Sequence, residues 1–221
     1  MTHNGGLRKF QQHLDRIYGK NNSRLFTKQD IAANLLRYVT RTLKTVRKND
    51  AKKTKENLVT GFAWAIALAN SYHLDVRLEI QKRFPGVCPY CSCAPCACGI
   101  RRPLKRKIIC SRKFHPWTSI ASAQKMFSDI YPANVLKDST IHLAEEMGEI
   151  IFAILMHSGR HTRDGFGELR LELVDVFANM FAVATCAGFD LQEALILKFR
   201  HGCPWCNKLP CDCSFNGIVK A

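Results

Sequence analysis

The pattern C-P-x-C-x3-P-C-x-C occurs twice in this chain, and it constrains the fold more than any other feature. Cys88-Pro-Tyr-Cys91-Ser-Cys-Ala-Pro-Cys96-Ala-Cys98 returns as Cys203-Pro-Trp-Cys206-Asn-Lys-Leu-Pro-Cys211-Asp-Cys213, displaced by 115 positions. At that displacement Phe84 meets Phe199, Asp75 meets Asp190, and Leu58, Val59, Phe62, Ala63, Ala67 and Ala69 meet Leu173, Val174, Phe177, Ala178, Ala182 and Ala184. After a small length change, Gln11, Ile17 and Tyr18 meet Gln124, Ile130 and Tyr131. Self-similarity over such a span reads as a tandem duplication in which each copy ends in a four-cysteine module. The division is residues 1–98, a basic linker over 99–115, and residues 116–221.

Hydrophobic residues at 47% and charged residues at 23% of 221 suit a chain that buries a core. No apolar run reaches the roughly 18 residues of a membrane span. Met1–Phe10 carries no apolar core of a secretory signal, so a cytoplasmic location with reduced thiols is expected. There, eleven clustered cysteines point to metal ligation more than to disulfides. Charge is uneven: residues 1–113 hold 24 Lys and Arg against 6 Asp and Glu, residues 114–221 hold 9 against 12.

Within each copy the apolar spacing is helical, and strand-like alternation is absent. In the second copy helices are expected over 119–131, from a cap among Asp138, Ser139 and Thr140 to Gly159, over about 168–187 before Gly188, and from the Asp190–Glu193 capping box onward. The first copy repeats this over 7–18, 30–48, 55–72 and 75–83. The expected class is all-α: two helical bundles in tandem, each followed by a small cysteine module.

Four carboxylates in the second copy carry the chemical signal. Glu146 and Glu149 lie three apart on one helix, and Glu172 and Asp175 three apart on the next. That spacing puts each pair on one face, roughly 60° apart, and Asn179 continues the second stripe. The surrounding Leu173, Val174, Val176, Phe177, Ala178, Met180 and Phe181 mark that helix as buried. Buried carboxylates need a compensating cation, and converging oxygens suit a hard ion such as Mg²⁺, which favours phosphate-bearing ligands. The alternative is a solvated face of surface ion pairs.

Glu145-Glu146-x-x-Glu149, then Glu172-Leu-Val-Asp175, then Ala187-Gly188-Phe189-Asp190-Leu191 with Ala194-Leu195, resembles the all-α nucleoside triphosphate pyrophosphohydrolase superfamily (MazG-like) over about residues 119–199. The resemblance implies a helical bundle in which Glu146, Glu149, Glu172 and Asp175 bind Mg²⁺. It implies cleavage of a (d)NTP between its α- and β-phosphates to the monophosphate and pyrophosphate. Glu145 or Glu149 would orient or deprotonate the attacking water. It further implies that Lys198, with Asn179 nearby, stands at the phosphates, and that the protein forms oligomers. The Asn and Arg that commonly follow that lysine are replaced here by the cysteine module.

The first copy lacks this equipment. Glu172 and Asp175 correspond to Asn57 and Thr60, and Ala33, Asn34 and Arg37, or neighbours equally lacking acid, stand opposite Glu145, Glu146 and Glu149, so this copy is expected to be inactive. Its stripe of Arg37, Arg41, Lys44 and Lys48 has three readings: a solvated face, a nucleic-acid contact, or a surface turned to the active copy's triphosphate. The competing function is a non-enzymatic zinc protein that binds nucleic acid through this half and through Arg101, Arg102, Lys105, Arg106, Lys107, Arg112 and Lys113. Each module offers a complete thiolate set, Cys88, Cys91, Cys96 and Cys98 or Cys203, Cys206, Cys211 and Cys213. Such a set is expected to close around a structural Zn²⁺, with iron–sulfur ligation as the alternative. Cys93 has no counterpart, Cys186 reads as a small buried hydrophobe, and Cys110 has no assigned role.

Overall fold

The computed structural model describes residues 6–99, 117–160 and 163–214; the expected basic linker beyond Gly99, with Cys110 and its seven Lys and Arg, lies outside them. The described residues form eight helices and no strand: α1 (Leu7–Leu25), α2 (Lys28–Arg47), α3 (Ala51–Ser71), α4 (Val76–Arg83), α5 (Ile120–Ile130), α6 (Leu136–Arg160), α7 (Arg163–Cys186) and α8 (Leu191–Phe199). No single helix among them is long and apolar enough to cross a membrane.

Local chemistry sets most boundaries. Thr27 and Asp30 form a reciprocal capping box at α2, a signal the sequence reading passed over, and Asp50, Asp75 and Asp190 cap α3, α4 and α8. Gly188 has φ 74° after α7, and the N–H of Phe189 returns to the Ala184 carbonyl at 3.2 Å. His73 takes the left-handed conformation at the equivalent place after α3, where the N–H of Leu74 returns to Ala69 at 3.0 Å. Two helices are longer than their spacing suggests. α1 continues seven residues past Tyr18, toward Phe26, whose ring packs edge-on against Trp64 at 5.5 Å. α6 begins at Leu136, so Asp138 sits in its first turn rather than at its cap.

The two halves, expected as bundles in series, share one hydrophobic core among the described residues. α2 packs on α3 and α6 on α7, while α2 also packs on α6 and α3 on α7. The reason lies in α3 and α7. Leu58, Phe62, Ala65, Ile66, Leu68 and Ala69 are at most 1% exposed, as are Val176, Phe177, Met180, Phe181, Val183 and Ala184. A helix apolar on nearly every side must be covered on every side, and α1, α2 and α4 do not suffice for α3. The other half supplies the missing cover. Phe62 and Phe177, 115 positions apart, meet at 5.1 Å between ring centroids and 71° between planes, an edge-to-face pair at the crossing. Phe181 adds a second contact to Phe62 at 5.8 Å and stacks on Phe127 at 5.3 Å.

Equivalent positions make equivalent contacts. Gln11 donates to the Leu74 carbonyl and accepts from the Val76 N–H, both 2.7–3.1 Å. Gln124 repeats this with the Phe189 carbonyl and the Leu191 N–H, at 2.9 and 3.0 Å. Other contacts cross between halves: the N–H of Cys96 donates to the Ile130 carbonyl at 2.7 Å, and that of Cys211 to the Ile17 carbonyl at 2.8 Å. Each cysteine module is therefore seated on the opening helix of the other half.

Because Phe62 is fully buried at this crossing, Phe62→Ala should cost about 3–5 kcal/mol. Denaturant unfolding followed by circular dichroism and by tryptophan fluorescence should show one shifted transition for both probes. Two separate transitions, with only one displaced, would mean that the halves are independent.

Candidate functional site

Three carboxylates come together where α6 and α7 run side by side. One oxygen each from Glu146, Glu149 and Glu172 lies within 4.8 Å of the others, a set that can hold a metal ion. Glu172 is buried, Glu146 half-buried and Glu149 exposed, so the cluster spans the edge between core and solvent. Burial, followed by the neighbouring charges of Asp175, Glu149 and Glu172, pushes the Glu146 carboxyl up to about 8. Burial and a hydrogen bond with Glu149 push Glu172 up to about 7, with the Arg83 charge opposing. Without a cation, these acids keep protons near neutral pH instead of sharing the site as anions.

Asp175 stands beside this cluster and is held by a residue that the sequence reading did not name. The Arg83 guanidinium, from the end of α4, donates Nε and Nη2 to the two Asp175 oxygens. The Arg83 side chain is 4% exposed, and its Nη1 is buried without a hydrogen-bond partner among the described residues. The signal for it was present, because Arg83 lies 115 positions before Lys198 and each precedes a phenylalanine.

Lys198, expected at the phosphates, is elsewhere. It donates to the Thr60 hydroxyl on α3, and burial holds its ammonium below the usual range. The exchange is reciprocal: the last helix of each half reaches the third helix of the other. Glu145 points away from the cluster, 60% exposed, with His142 Nδ1 2.8 Å from its carboxylate. Asn179 donates to the Asp175 backbone carbonyl at 3.1 Å and lines the cleft.

That cleft is a cavity of about 290 Å³ bounded by Arg83, Tyr90, Tyr131, Glu146, Asp175 and Asn179. Its counterpart in the first half is only about 50 Å³ and is bounded by Tyr18, Thr60, Trp64, Lys198, Cys203 and Pro204. A wider open groove of about 830 Å³ between α1 and α3 brings together neither the converging carboxylates nor the thiols. In α2, buried Ile31, Ala32, Leu35, Val39 and Thr42 repeat the rhythm of Ser139, Thr140, Leu143, Met147 and Ile150. That rhythm puts Arg37, Tyr38 and Arg41, rather than Ala33, Asn34 and Arg37, opposite Glu145, Glu146 and Glu149. With Asn57 and Thr60, the first half has no carboxylate at any of these places.

Both thiol sets can hold a metal ion. Cys88–Cys98 and Cys91–Cys96 sulfurs are 3.7 and 3.9 Å apart, and Cys203–Cys213 and Cys206–Cys211 both 3.9 Å. Four sulfurs at ~2.3 Å from one tetrahedral ion would be roughly 3.8 Å apart, so the spacing fits a single ion and is far from a disulfide bond. Ser92 and Asn207 turn both knuckles through positive φ, at 61° and 53°. The Ala97 N–H donates to the Cys91 sulfur and lowers its thiol to about 6, whereas burial and the neighbouring thiols push Cys98 up to about 12. The set therefore does not ionise completely without a cation. Cys93 is exposed and outside the set, with its Sγ 3.4 Å from the Cys91 carbonyl. Cys186 is half-buried, not fully so, and lies 3.3 Å from the Asn134 carbonyl.

Comparison with known protein families, with curated proteins and with solved structures gives no match.

The raised carboxyls have a definite sign. A folded-state pKa above the ordinary carboxylate range favours the folded state at low pH, and that advantage is lost as pH rises through about 7 to 8. Without divalent ions, the melting temperature should fall between pH 5.5 and 8.5 by more in the wild type than in Glu146→Gln, and added Mg²⁺ should restore the wild type mainly at the higher pH. Identical pH profiles for the two proteins would show that the three acids are not packed together.

Proposed function

We propose that this chain is a Mg²⁺-dependent nucleoside triphosphate pyrophosphohydrolase of the all-α, MazG-like kind, with one working site per chain in its second half. The observation that carries the reading is the convergence of Glu146, Glu149 and Glu172 beside a cleft that Glu146, Asp175 and Arg83 all border. Acids and a guanidinium facing one cavity are the two halves of a phosphate site: one to hold a cation, the other to meet phosphate oxygens directly. The EExxE and ExxD pattern on consecutive helices supports the same class.

A magnesium ion held by Glu146, Glu149 and Glu172 would supply neutralisation of the phosphate charge and a template for in-line attack. Glu149, the exposed member, takes the proton of the attacking water. Its neighbour Glu145, turned outward to His142, is not placed for this. The water oxygen bonds to the α-phosphorus, the bond from that phosphorus to the α–β bridging oxygen breaks, and its electron pair leaves on the departing pyrophosphate. Arg83, which borders the cleft, meets the phosphate oxygens on which charge accumulates. Positioning and charge compensation carry most of the work, since phosphoryl transfer asks little covalent chemistry of the protein.

The repeat is best understood as a tandem duplication folded into an internal pseudo-dimer, supported by the paired Gln11 and Gln124 bridges, the crossed Arg83 and Lys198 contacts and the Phe62–Phe177 crossing. The first half has lost its acids and serves as the permanent partner that delivers Arg83. In both modules the occupant we propose is Zn²⁺, as the single-ion sulfur spacing and closed thiolate set favour. A second reading, nucleic-acid binding by the basic half, draws on Arg41, Lys44, Arg47 and Lys48, all exposed along α2. It requires RNA or DNA affinity that falls steeply with salt.

The deciding experiment measures pyrophosphate release from a panel of (d)NTPs with Mg²⁺, comparing wild type with Glu149→Ala and Glu172→Ala. Each variant should lose at least about 100-fold in kcat/KM, a loss on the order of that seen when a group stabilising transition-state charge is removed. The same preparations should contain about two zinc ions per chain, one per four-thiolate set. Turnover that survives both substitutions would remove the assignment of the site, and release of inorganic orthophosphate in place of pyrophosphate would remove the assignment of the reaction.

A further inference from the structure

The two cleft positions invite a comparison that the sequence repeat makes possible. Pro89 and Tyr90 stand between the first two thiolate ligands, and both line the cleft that contains Glu146 and Asp175. Their counterparts Pro204 and Trp205 belong to the second module, where only Pro204 borders the cavity of about 50 Å³. Trp64, at the place of Asn179, lines that small cavity together with Tyr18, Thr60 and Lys198 and is 8% exposed. Trp205 itself is 61% exposed to solvent. Two modules of nearly the same sequence thus have different surroundings, and only the first borders an open chamber next to the acids.

The chamber has two characters. Glu146, Asp175, Arg83 and Asn179 make one side charged and polar; Tyr90, Tyr131, Phe84, Ala178 and Ala182 supply flat and apolar surface. A ligand that matches both is charged at one end and planar at the other. The aromatic surface is also anchored to the thiolate set. The Tyr131 side chain is hydrogen-bonded to the Cys88 thiol, and the Cys96 N–H donates to the Ile130 carbonyl at 2.7 Å. Tyr90 lies between Cys88 and Cys91, so the knuckle sets its backbone position.

We infer that the first cysteine module is a wall of the nucleotide cleft: Tyr90 is the face on which the substrate's nucleobase stacks, and the metal ion in that module, unlike the one in the second, holds this face in place. The inference rests on the hydrolase reading and adds where the base end of the substrate lies. The residue acts on binding, not on the bond that breaks. Its loss is therefore felt by ligands that carry a base and not by a bare phosphate chain.

The repeat provides its own control. Equilibrium binding of the four α,β-imido deoxynucleoside triphosphates, and of inorganic tripolyphosphate, is measured with Mg²⁺ on the full chain for wild type, Tyr90→Ala, Tyr90→Phe and Trp205→Ala. Tyr90→Ala should weaken the tightest-bound nucleotide by about tenfold, the scale of one base stacked on one aromatic ring. Tripolyphosphate binding should be unchanged, Tyr90→Phe should keep nucleotide affinity, and Trp205→Ala should alter neither ligand. In a second arm Cys91→Ser and Cys206→Ser should each lose one zinc ion, but only Cys91→Ser should weaken nucleotide binding. Equal effects at Tyr90 and Trp205, or tripolyphosphate weakened together with nucleotide, would overturn the inference while leaving the hydrolase reading intact. A wild-type protein that binds neither ligand and releases no pyrophosphate would overturn both.

Discussion

The architecture depends on two helices with little polar surface to show to water. α3 and α7 are apolar around most of their circumference, and each needs neighbours on more sides than its own half provides. Setting them against each other, with Phe62 and Phe177 at the crossing, covers both at once. From that single choice follow the packing of α2 on α6, the seating of each cysteine module on the other half, and the reach of α4 and α8 across the interface. Apolar burial is non-directional, so the crossing is fixed by shape, while hydrogen bonds such as those of Gln11 and Gln124 set the register of the surrounding helices.

The same crossing makes the acids tolerable. Glu172 and Asp175 project from a core helix, where carboxylates are costly unless paired or bound to a cation. Arg83 meets Asp175, and the remaining three acids are left to share protons or a metal ion. In the first half the corresponding places are taken by Tyr38, Arg41, Asn57 and Thr60, with Lys198 buried against a hydroxyl. The space there is about 50 Å³ and is bordered by Thr60, Trp64 and Lys198. One half keeps a chamber and the other fills it.

The helices were legible because apolar spacing and capping residues are local signals. The second helices, the Asp190 cap and the Gly188 stop all stand near their expected places. So was the composition of the thiolate sets, whose ligands lie within eleven residues and converge without help from the remainder of the fold. Less legible were the ends that tertiary contacts fix, such as the continuation of α1 toward Phe26. The partner of Asp175 was not legible either, because the resemblance implies Lys198, in the same half, at that site. A hydrogen bond between residues 92 positions apart leaves no trace in the periodicity of either helix.

By itself the sequence determined that the chain is helical, that it repeats, that four thiols gather twice and that carboxylates recur at one-turn spacing on two consecutive helices. Each of these is fixed by residues close together in the chain, whose geometry depends on backbone period and side-chain chemistry alone. Only the tertiary structure decided that the halves interlock, that Arg83 and not Lys198 faces the acids, that Glu145 turns outward, and that Tyr90 borders an open cleft while Trp205 faces solvent. Those outcomes depend on which apolar faces cover one another, and that choice is made by the packing of the whole molecule and not by any one segment.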